Sequence, residues 1–434
     1  MHRLLSLLGM PQRRFASIHV VGTNGKSSVT RMTAALLEAH GVSAGACVSP
    51  HASRWSERVL IHGEEIAPDA FAAAVERTCQ AAETVNRSLS PSRSNAPSLG
   101  EREEVRSSAH GGERVTQFEV ATAAAFVALA AAGVEVAVVE AGLGGRLDAT
   151  NAIPSRVTVL TTIGRDHTEW LGESEEEIAV EKLAVLRDGT TLVLGRVSAA
   201  VAALAERTAR DRGATLVVAP AALDPALRLR AAGRFQRRNF ALARTAAEAF
   251  LGELDPERVA AVAAGLAVPG RLERVADDPP TYLDAAHNPD GAAALAESLS
   301  EIASLPPGGR TSSRGVGANA TSRRAVVACL AVGADKDAAA MIAALAPALD
   351  RAVCTELPAA ALAARGRPGA ASHGAAELAR ACAAAGLAAE EEPDFAAAVQ
   401  RGRRLAAEAG GILLVSGSHY VLAPARAALA LCED

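Results

Sequence analysis

The feature that most restricts this chain is an apolar strand that turns into a helix through Gly22-Thr23-Asn24-Gly25-Lys26-Ser27-Ser28. Glycines let the backbone aim its N–H groups at a phosphate. The start of the following helix adds positive potential, and Lys26 supplies a point charge. A hydroxyl from Ser27 or Ser28 is placed to meet a phosphate or its magnesium. The usual phosphate-loop pattern has a glycine six residues before the lysine; here that position is Val20, so the loop is a variant. Such a unit belongs in a parallel sheet covered by helices.

The rest of the text repeats that alternation. Residues 17–21, 136–140, 157–162, 191–194 and 215–218 read as one series of short buried strands, and 281–284, 325–330, 352–355 and 412–416 as a second. Helical runs such as residues 28–40 lie between many of them. The expected fold class is α/β: a P-loop-type doubly wound parallel sheet domain over residues 1–267, followed by a smaller Rossmann-like α/β domain over 268–434. Val268-Pro269-Gly270-Arg271 reads as the hinge. Residues 86–114 and 306–324, rich in small and polar side chains without a hydrophobic period, read as surface loops.

Composition excludes several classes. With 44 basic and 49 acidic side chains the formal charge is −5, and aromatics make up 3% of the chain, which leaves little for a nucleic-acid surface. The best apolar run, residues 120–134, is shorter than the ~20 residues of a membrane span and is flanked by Glu119 and Glu135. The opening residues read as an amphipathic helix. Six cysteines without a C-x-x-C pair suit reduced thiols in the cytoplasm.

Three further motifs carry chemistry. Glu140 ends a buried strand and is followed by Ala141-Gly142-Leu143-Gly144-Gly145-Arg146-Leu147-Asp148; a carboxylate at that edge is where nucleotide-bound magnesium would be held. His167 ends the next strand in the same row. Lys182 follows a Ser174–Glu177 capping box and shares a helix face with Ile178, Val185 and Leu186. Spacing favours a snorkelling lysine but leaves open a desolvated amine suited to carbamate formation. In the second series Asn288 and Pro289 fit a helix start, which leaves Asp284 and His287 unexplained by structure alone.

The order of these motifs resembles the folylpolyglutamate synthase and dihydrofolate synthase family of the Mur ligase superfamily. It is carried by residues 19–26, Ser49-Pro50-His51, Glu57-Arg58-Val59, Thr116 to Glu119, residues 140–151, Asp166-His167-Thr168-Glu169 and Glu181-Lys182. Gly233-Arg234-Phe235-Gln236 with Asn239, Pro269-Gly270-Arg271, Asp284 with His287-Asn288-Pro289, and Ala334 to Asp337 continue it. The resemblance implies an ATP-dependent ligase that adds L-glutamate to a folate-type carboxylate through an acyl phosphate, with ATP and Mg2+ required.

By resemblance, Gly22, Thr23, Asn24, Gly25, Lys26, Ser27 and Ser28 with Asn239, Arg271 and Asp284 would hold the nucleotide. Ser49, Glu140 and His167 would hold magnesium, and Lys182 would be carbamylated. Lys26, Lys182 and His287 would be catalytic. Arg58, His287 and Ser418 would receive glutamate, and Thr116, Phe118 and Asp148 the pterin end of folate or dihydropteroate. A monomer acting on small molecules is expected, with no nucleic acid or membrane partner. Ser27 stands where folate ligases usually carry glycine, which keeps a cell-wall Mur-type amino-acid ligase as an alternative; a non-catalytic P-loop nucleotide-binding protein is the other. The family usually carries a Gly- and Leu-rich segment upstream of Leu4-Leu5-Ser6-Leu7-Leu8-Gly9, so both dihydropteroate ligation and tail elongation are expected, with dihydropteroate bound more weakly than in relatives that carry that segment.

Overall fold

The computed structural model describes residues 1–51, 53–89, 114–221, 223–304, 323–363 and 370–430. Eight strands build the first sheet: β1 (Ala16–Val21), β2 (Ala44–Cys47), β3 (Val59–Ile61), β4 (Glu64–Glu65), β5 (Val136–Glu140), β6 (Val157–Leu160), β7 (Thr191–Leu194) and β8 (Thr215–Val218). Their order is β4-β3-β2-β5-β1-β6-β7-β8, with both pairings of β3 antiparallel and all others parallel. β5 is buried along its whole length, which its uninterrupted apolar text requires of a strand covered on both faces.

The second sheet joins β9 (Glu273–Asp277), β10 (Pro280–Leu283), β11 (Val326–Leu330), β12 (Arg351–Cys354), β13 (Ala389–Glu391) and β14 (Ile412–Ser416) in the order β13-β12-β11-β14-β10-β9. Only β9 runs antiparallel. The expected α/β class is therefore observed, as two sheets covered by helices.

Register decides where chemistry gathers. Val20 pairs with Glu140 and Val21 with Leu160, so the phosphate loop, Glu140 and residues 161–167 leave the sheet at one level. Leu283 pairs with Val415 and Leu330 with Ser416, which does the same for Asp284, residues 331–337 and Ser418. Ligands of open parallel sheets lie outside these carboxyl ends. The Arg234–Leu251 helix ties the halves together: Phe240 and Ala243 are buried on the first sheet, while Phe235 packs against the core of the second.

Nine strands were legible; five were not. β2 reads Ala-Gly-Ala-Cys, without a β-branched residue, because Leu129 of the Gln117–Ala131 helix presses onto it. β3, β4, β9 and β13 are short or polar strands at or near sheet edges. The strand expected over 157–162 stops at Leu160, since the Thr161 hydroxyl turns to the Asn24 carbonyl at 2.7 Å. The loop expected from residue 86 begins later: the Pro68–Leu89 helix runs on, with Val85 buried and Asn86 Oδ1 accepting the Val115 amide at 2.9 Å. Residues 90–113 and 305–322 lie outside the described ones. The opening helix is His2–Leu7, with Leu4 and Leu5 buried. Among the described residues no helix is long and apolar enough to cross a membrane.

Gly45 gives a test of the sheet packing. A Cβ there would lie 2.3 Å from Leu129 Cδ2 and 3.1 Å from the Leu60 carbonyl. Gly45→Ala should cost about 1–3 kcal/mol through overpacking, read as a lower urea midpoint. An unchanged midpoint would show that Leu129 turns aside freely.

Candidate active site

A cavity of about 1000 Å³ lies between the carboxyl edges of the two sheets. The phosphate loop forms one wall. Gly22 has φ +148°, and a Cβ on it would sit 1.9 Å from Thr161 Oγ1; Gly25 has φ +86° and lies against Asn239 Oδ1. Neither position accepts a side chain. The Thr23 amide bonds the Thr162 carbonyl at 2.8 Å, and Thr23 Oγ1 meets Gly164, so the loop is stitched to the end of β6. Lys26 curls back, with Nζ donating to the Gly22 and Thr23 carbonyls at 3.1 and 3.0 Å. Burial lowers its pKa against the opposing pull of Glu140 and Asp166. Ser28 Oγ is buried on the same wall without a protein partner among the described residues, as a hydroxyl kept for a ligand would be.

Glu140 is the centre of the floor. Its Oε1 accepts the Ser27 hydroxyl at 3.0 Å and its Oε2 accepts the Ser49 amide at 2.9 Å. Burial raises the carboxyl's pKa, and Lys26 with these two hydrogen bonds opposes the rise. His167 lines the same cavity, with Nε2 3.7 Å from Asp166 Oδ1; burial lowers its pKa. Among the described residues no three His, Cys, Asp or Glu side chains are grouped to hold a metal. The donors at Glu140 are hydroxyl and carboxylate oxygens, a set that fits magnesium, which takes few protein ligands beside nucleotide phosphates.

Lys182 does not snorkel. It is 5% exposed on the Glu175–Leu183 helix, its stem beside the buried Ile178 and Ala179, and it lines the cavity. Burial, then the charge of Lys26, lowers its pKa to about 7. The predicted Ser174–Glu177 capping box is present and starts this helix. Gly145 brings the loop after β5 onto the helix end, since a Cβ there would lie 2.6 Å from the Glu181 carbonyl, and the Arg146 amide donates to that carbonyl at 3.1 Å.

The second sheet supplies the opposite wall. Asp284 accepts the Leu272 and Ala286 amides at 2.7 and 2.8 Å; burial raises its pKa while the Arg271 charge holds it down. Arg271 is half-buried and contacts His419 Nε2 at 2.9 Å. His287 Nδ1 meets the Ala285 carbonyl at 2.9 Å, and Ser418 caps the turn that follows it through the Tyr420 amide. Asn239 bonds Gln236 at 3.0 Å beside Gly25. All five line the cavity.

The remaining expected residues sit elsewhere. Arg58 and Phe118 line a small separate cleft that shares only Ser49 and Glu140 with the main cavity, so Arg58 is not in one pocket with His287 and Ser418. Arg58 Nε donates to His51 and its guanidinium lies 4.6 Å over the Trp55 ring. Phe118 covers Gly142, whose missing Cβ makes room for the ring. Thr116 is a helix N-cap, its hydroxyl engaged with Glu119. Asp148 bonds the Leu143 and Thr150 amides at 2.7 and 2.9 Å and so holds its own loop. Sequence reasoning missed the meeting of Asp166 with Lys336 at 2.8 Å and of Asn24 with Asn288 at 3.1 Å. Each lies in a motif already noted, but no local pattern says that the two halves touch there.

The titration of Lys182 is testable. An unfolded lysine titrates near ~10.4, so the buried amine's contribution to stability is complete above that value and is lost as pH falls toward the folded pKa. In CO2-free buffer Lys182→Met should therefore raise Tm near pH ~6, with the gain gone by pH ~10.5. Thermal scans at both ends check it; an equal Tm at low pH would mean that the ammonium is solvated.

Residues 270–419 match the family model of the Mur ligase glutamate ligase domain. The dihydrofolate synthase/folylpolyglutamate synthase of Mycobacterium tuberculosis is 36% identical over 385 residues, covering 81% of this chain and 72% of that protein. A structure of the folylpolyglutamate synthase of that organism complexed with ADP superposes with a TM-score of 0.81 at 30% identity, covering 98% of this chain and 93% of that one. A bifunctional folylpolyglutamate synthase/dihydrofolate synthase with Mn, AMPPNP and L-glutamate bound gives 0.74 at 25% identity, covering 99% and 94%. With a phosphate loop, a buried carboxylate and a buried lysine on one cavity wall, and these likenesses spanning nearly the whole chain, the protein belongs to the dihydrofolate synthase/folylpolyglutamate synthase family.

Proposed function

We propose that this protein joins the amino group of L-glutamate to a folate-type carboxylate, with ATP converted to ADP and phosphate. One observation carries the reading: a single cavity has the phosphate loop, Glu140 and Lys182 on one side and Asp284, His287 and Ser418 on the other. The relatives bind ADP, or AMPPNP with manganese and L-glutamate, which supports the same ligands here. Family membership argues against both alternatives, the cell-wall ligase that Ser27 had kept open and the non-catalytic nucleotide-binding protein. We keep the boundary between the two units at residues 267 and 268.

A carboxylate and an ammonium do not condense unaided. In-line transfer of the γ-phosphoryl group to the acceptor carboxylate gives an acyl phosphate; the glutamate amine then attacks its carbonyl carbon and phosphate departs. The loop amides from Gly22 to Ser28 cradle the phosphates, and Lys26 Nζ leaves its two carbonyls to neutralise the charge that develops. Asn239, Arg271 and Asp284 flank the nucleotide. Glu140, Ser49 and His167 would hold magnesium, which would supply neutralisation of phosphate charge during the transfer. Lys182, with a large neutral fraction near neutral pH, takes up CO2 as a carbamate and presents an anionic oxygen. His287 and Ser418 receive glutamate. Phe118 and Arg58 share the small cleft behind Glu140 and meet the pterin end, while Thr116 and Asp148 shape that end of the site through the backbone.

Both acceptors reach this site in the reading: dihydropteroate through a rigid pterin-to-carboxyl distance, and a folate tail through a flexible one. One chain supplies every wall of the cavity, so a monomer suffices, working in the cytoplasm where ATP is available. ADP release and product mass with glutamate plus dihydropteroate, tetrahydrofolate or a muropeptide test it. The first two should turn over and the third should not; turnover of the muropeptide alone would overturn the reading. Lys26→Ala should lose at least about 100-fold in kcat with Tm nearly unchanged. Activity within tenfold of the unaltered protein would remove Lys26 from the chemistry.

A further inference from the structure

We propose that Asp166 is a positioning residue, whose carboxylate sets His287 and Lys336 of the second unit against the phosphate loop. The inference rests on the ligase reading above. Asp166 leaves the carboxyl end of β6 and is 11% exposed. Its Oδ1 accepts Lys336 Nζ at 2.8 Å, its Oδ2 accepts Asn288 Nδ2 at 3.0 Å, and His287 Nε2 lies 3.6 Å from Oδ2. All three partners come from the second sheet. From its own half, His167 Nε2 stands 3.7 Å from Oδ1.

Two neighbouring contacts extend the seam. Asn288 exchanges side-chain hydrogen bonds with Asn24 of the phosphate loop, 3.1 Å in each direction. Gly164 approaches Asp290 so closely that a Cβ would lie 1.8 Å from Asp290 Oδ2. The seam therefore joins the phosphate loop, the end of β6 and the start of the Pro289–Ser304 helix through side-chain contacts. An exposed ion pair would contribute little to such a seam. This one is largely withdrawn from water, with Lys336 at 15% exposure, so removing the Asp166 charge leaves the ammonium without its ion-pair partner. The His287 ring is held by the Ala285 carbonyl at Nδ1, and its Nε2 faces the Asp166 carboxylate at 3.6 Å. Asp166 thus orients a group proposed to receive glutamate, from the side of the cavity that binds ATP.

Asp166→Asn keeps the shape and removes the charge. Expected is a rise of at least tenfold in KM for glutamate and a further fall in kcat, while binding of a fluorescent ATP analogue stays within threefold. Lys336→Met should show the same split, and the double variant should be no worse than the weaker single one, because both remove one interaction. If Asp166→Asn fails to fold, Lys336→Met alone decides by the same split. An unchanged KM for glutamate, additive losses, or nucleotide binding lost in step with activity would each overturn the proposal. Absence of glutamate-dependent ADP release from the unaltered protein would instead overturn the ligase reading.

Discussion

A carboxylate buried at the end of a parallel strand is tolerable only when every oxygen is engaged, and the architecture is arranged around Glu140 in that sense. Ser27 of the phosphate loop takes one oxygen and the Ser49 amide the other. For both to arrive, β1 and β2 must flank β5 in the observed register. The adjoining loops also pack closely on their neighbours, Gly22 against Thr161, Gly25 against Asn239 and Gly142 against Phe118. Strand order and register thus serve that single anionic point.

The same economy of polar groups organises the cavity. Asp148 engages its oxygens within its own loop, which carries Gly145 onto the helix that brings Lys182 to the cavity. Asp284 spends its oxygens on two amides and meets Arg271 across the wall. Charges in this low-dielectric space are spaced so that anions and cations alternate, from Glu140 and Lys26 to Asp166 and Lys336. A polyanionic nucleotide entering it meets cations whose geometry is already set, the condition for electrostatic stabilisation of phosphoryl transfer.

The seam between the units is what makes one cavity from two sheets. Each sheet alone presents an open edge with a few polar loops. Brought together, with Asp166 reaching Lys336 and Asn24 reaching Asn288, they enclose the cavity from both sides. Enclosure matters for a reaction that passes through an acyl phosphate, since water would otherwise compete with the amine.

The chain's own text determined what depends on neighbours within a few residues. The glycine-rich turn and its lysine, the carboxylate ending an apolar strand, the Ser174–Glu177 cap and the Asn288–Pro289 helix start were all legible, because backbone conformation and capping are local. Tertiary structure alone decided matters set by residues outside each other's local stretch of chain. It made Ala44–Cys47 a strand by placing it between β5 and β3, and it turned Lys182 from a snorkelling side chain into a buried one. It put Arg58 beside Phe118 rather than His287, and it brought Asp166 to the second unit. Periodicity records which face of a helix is apolar, but not whether solvent or a second domain lies beyond its end; that is settled only when the two sheets close on each other.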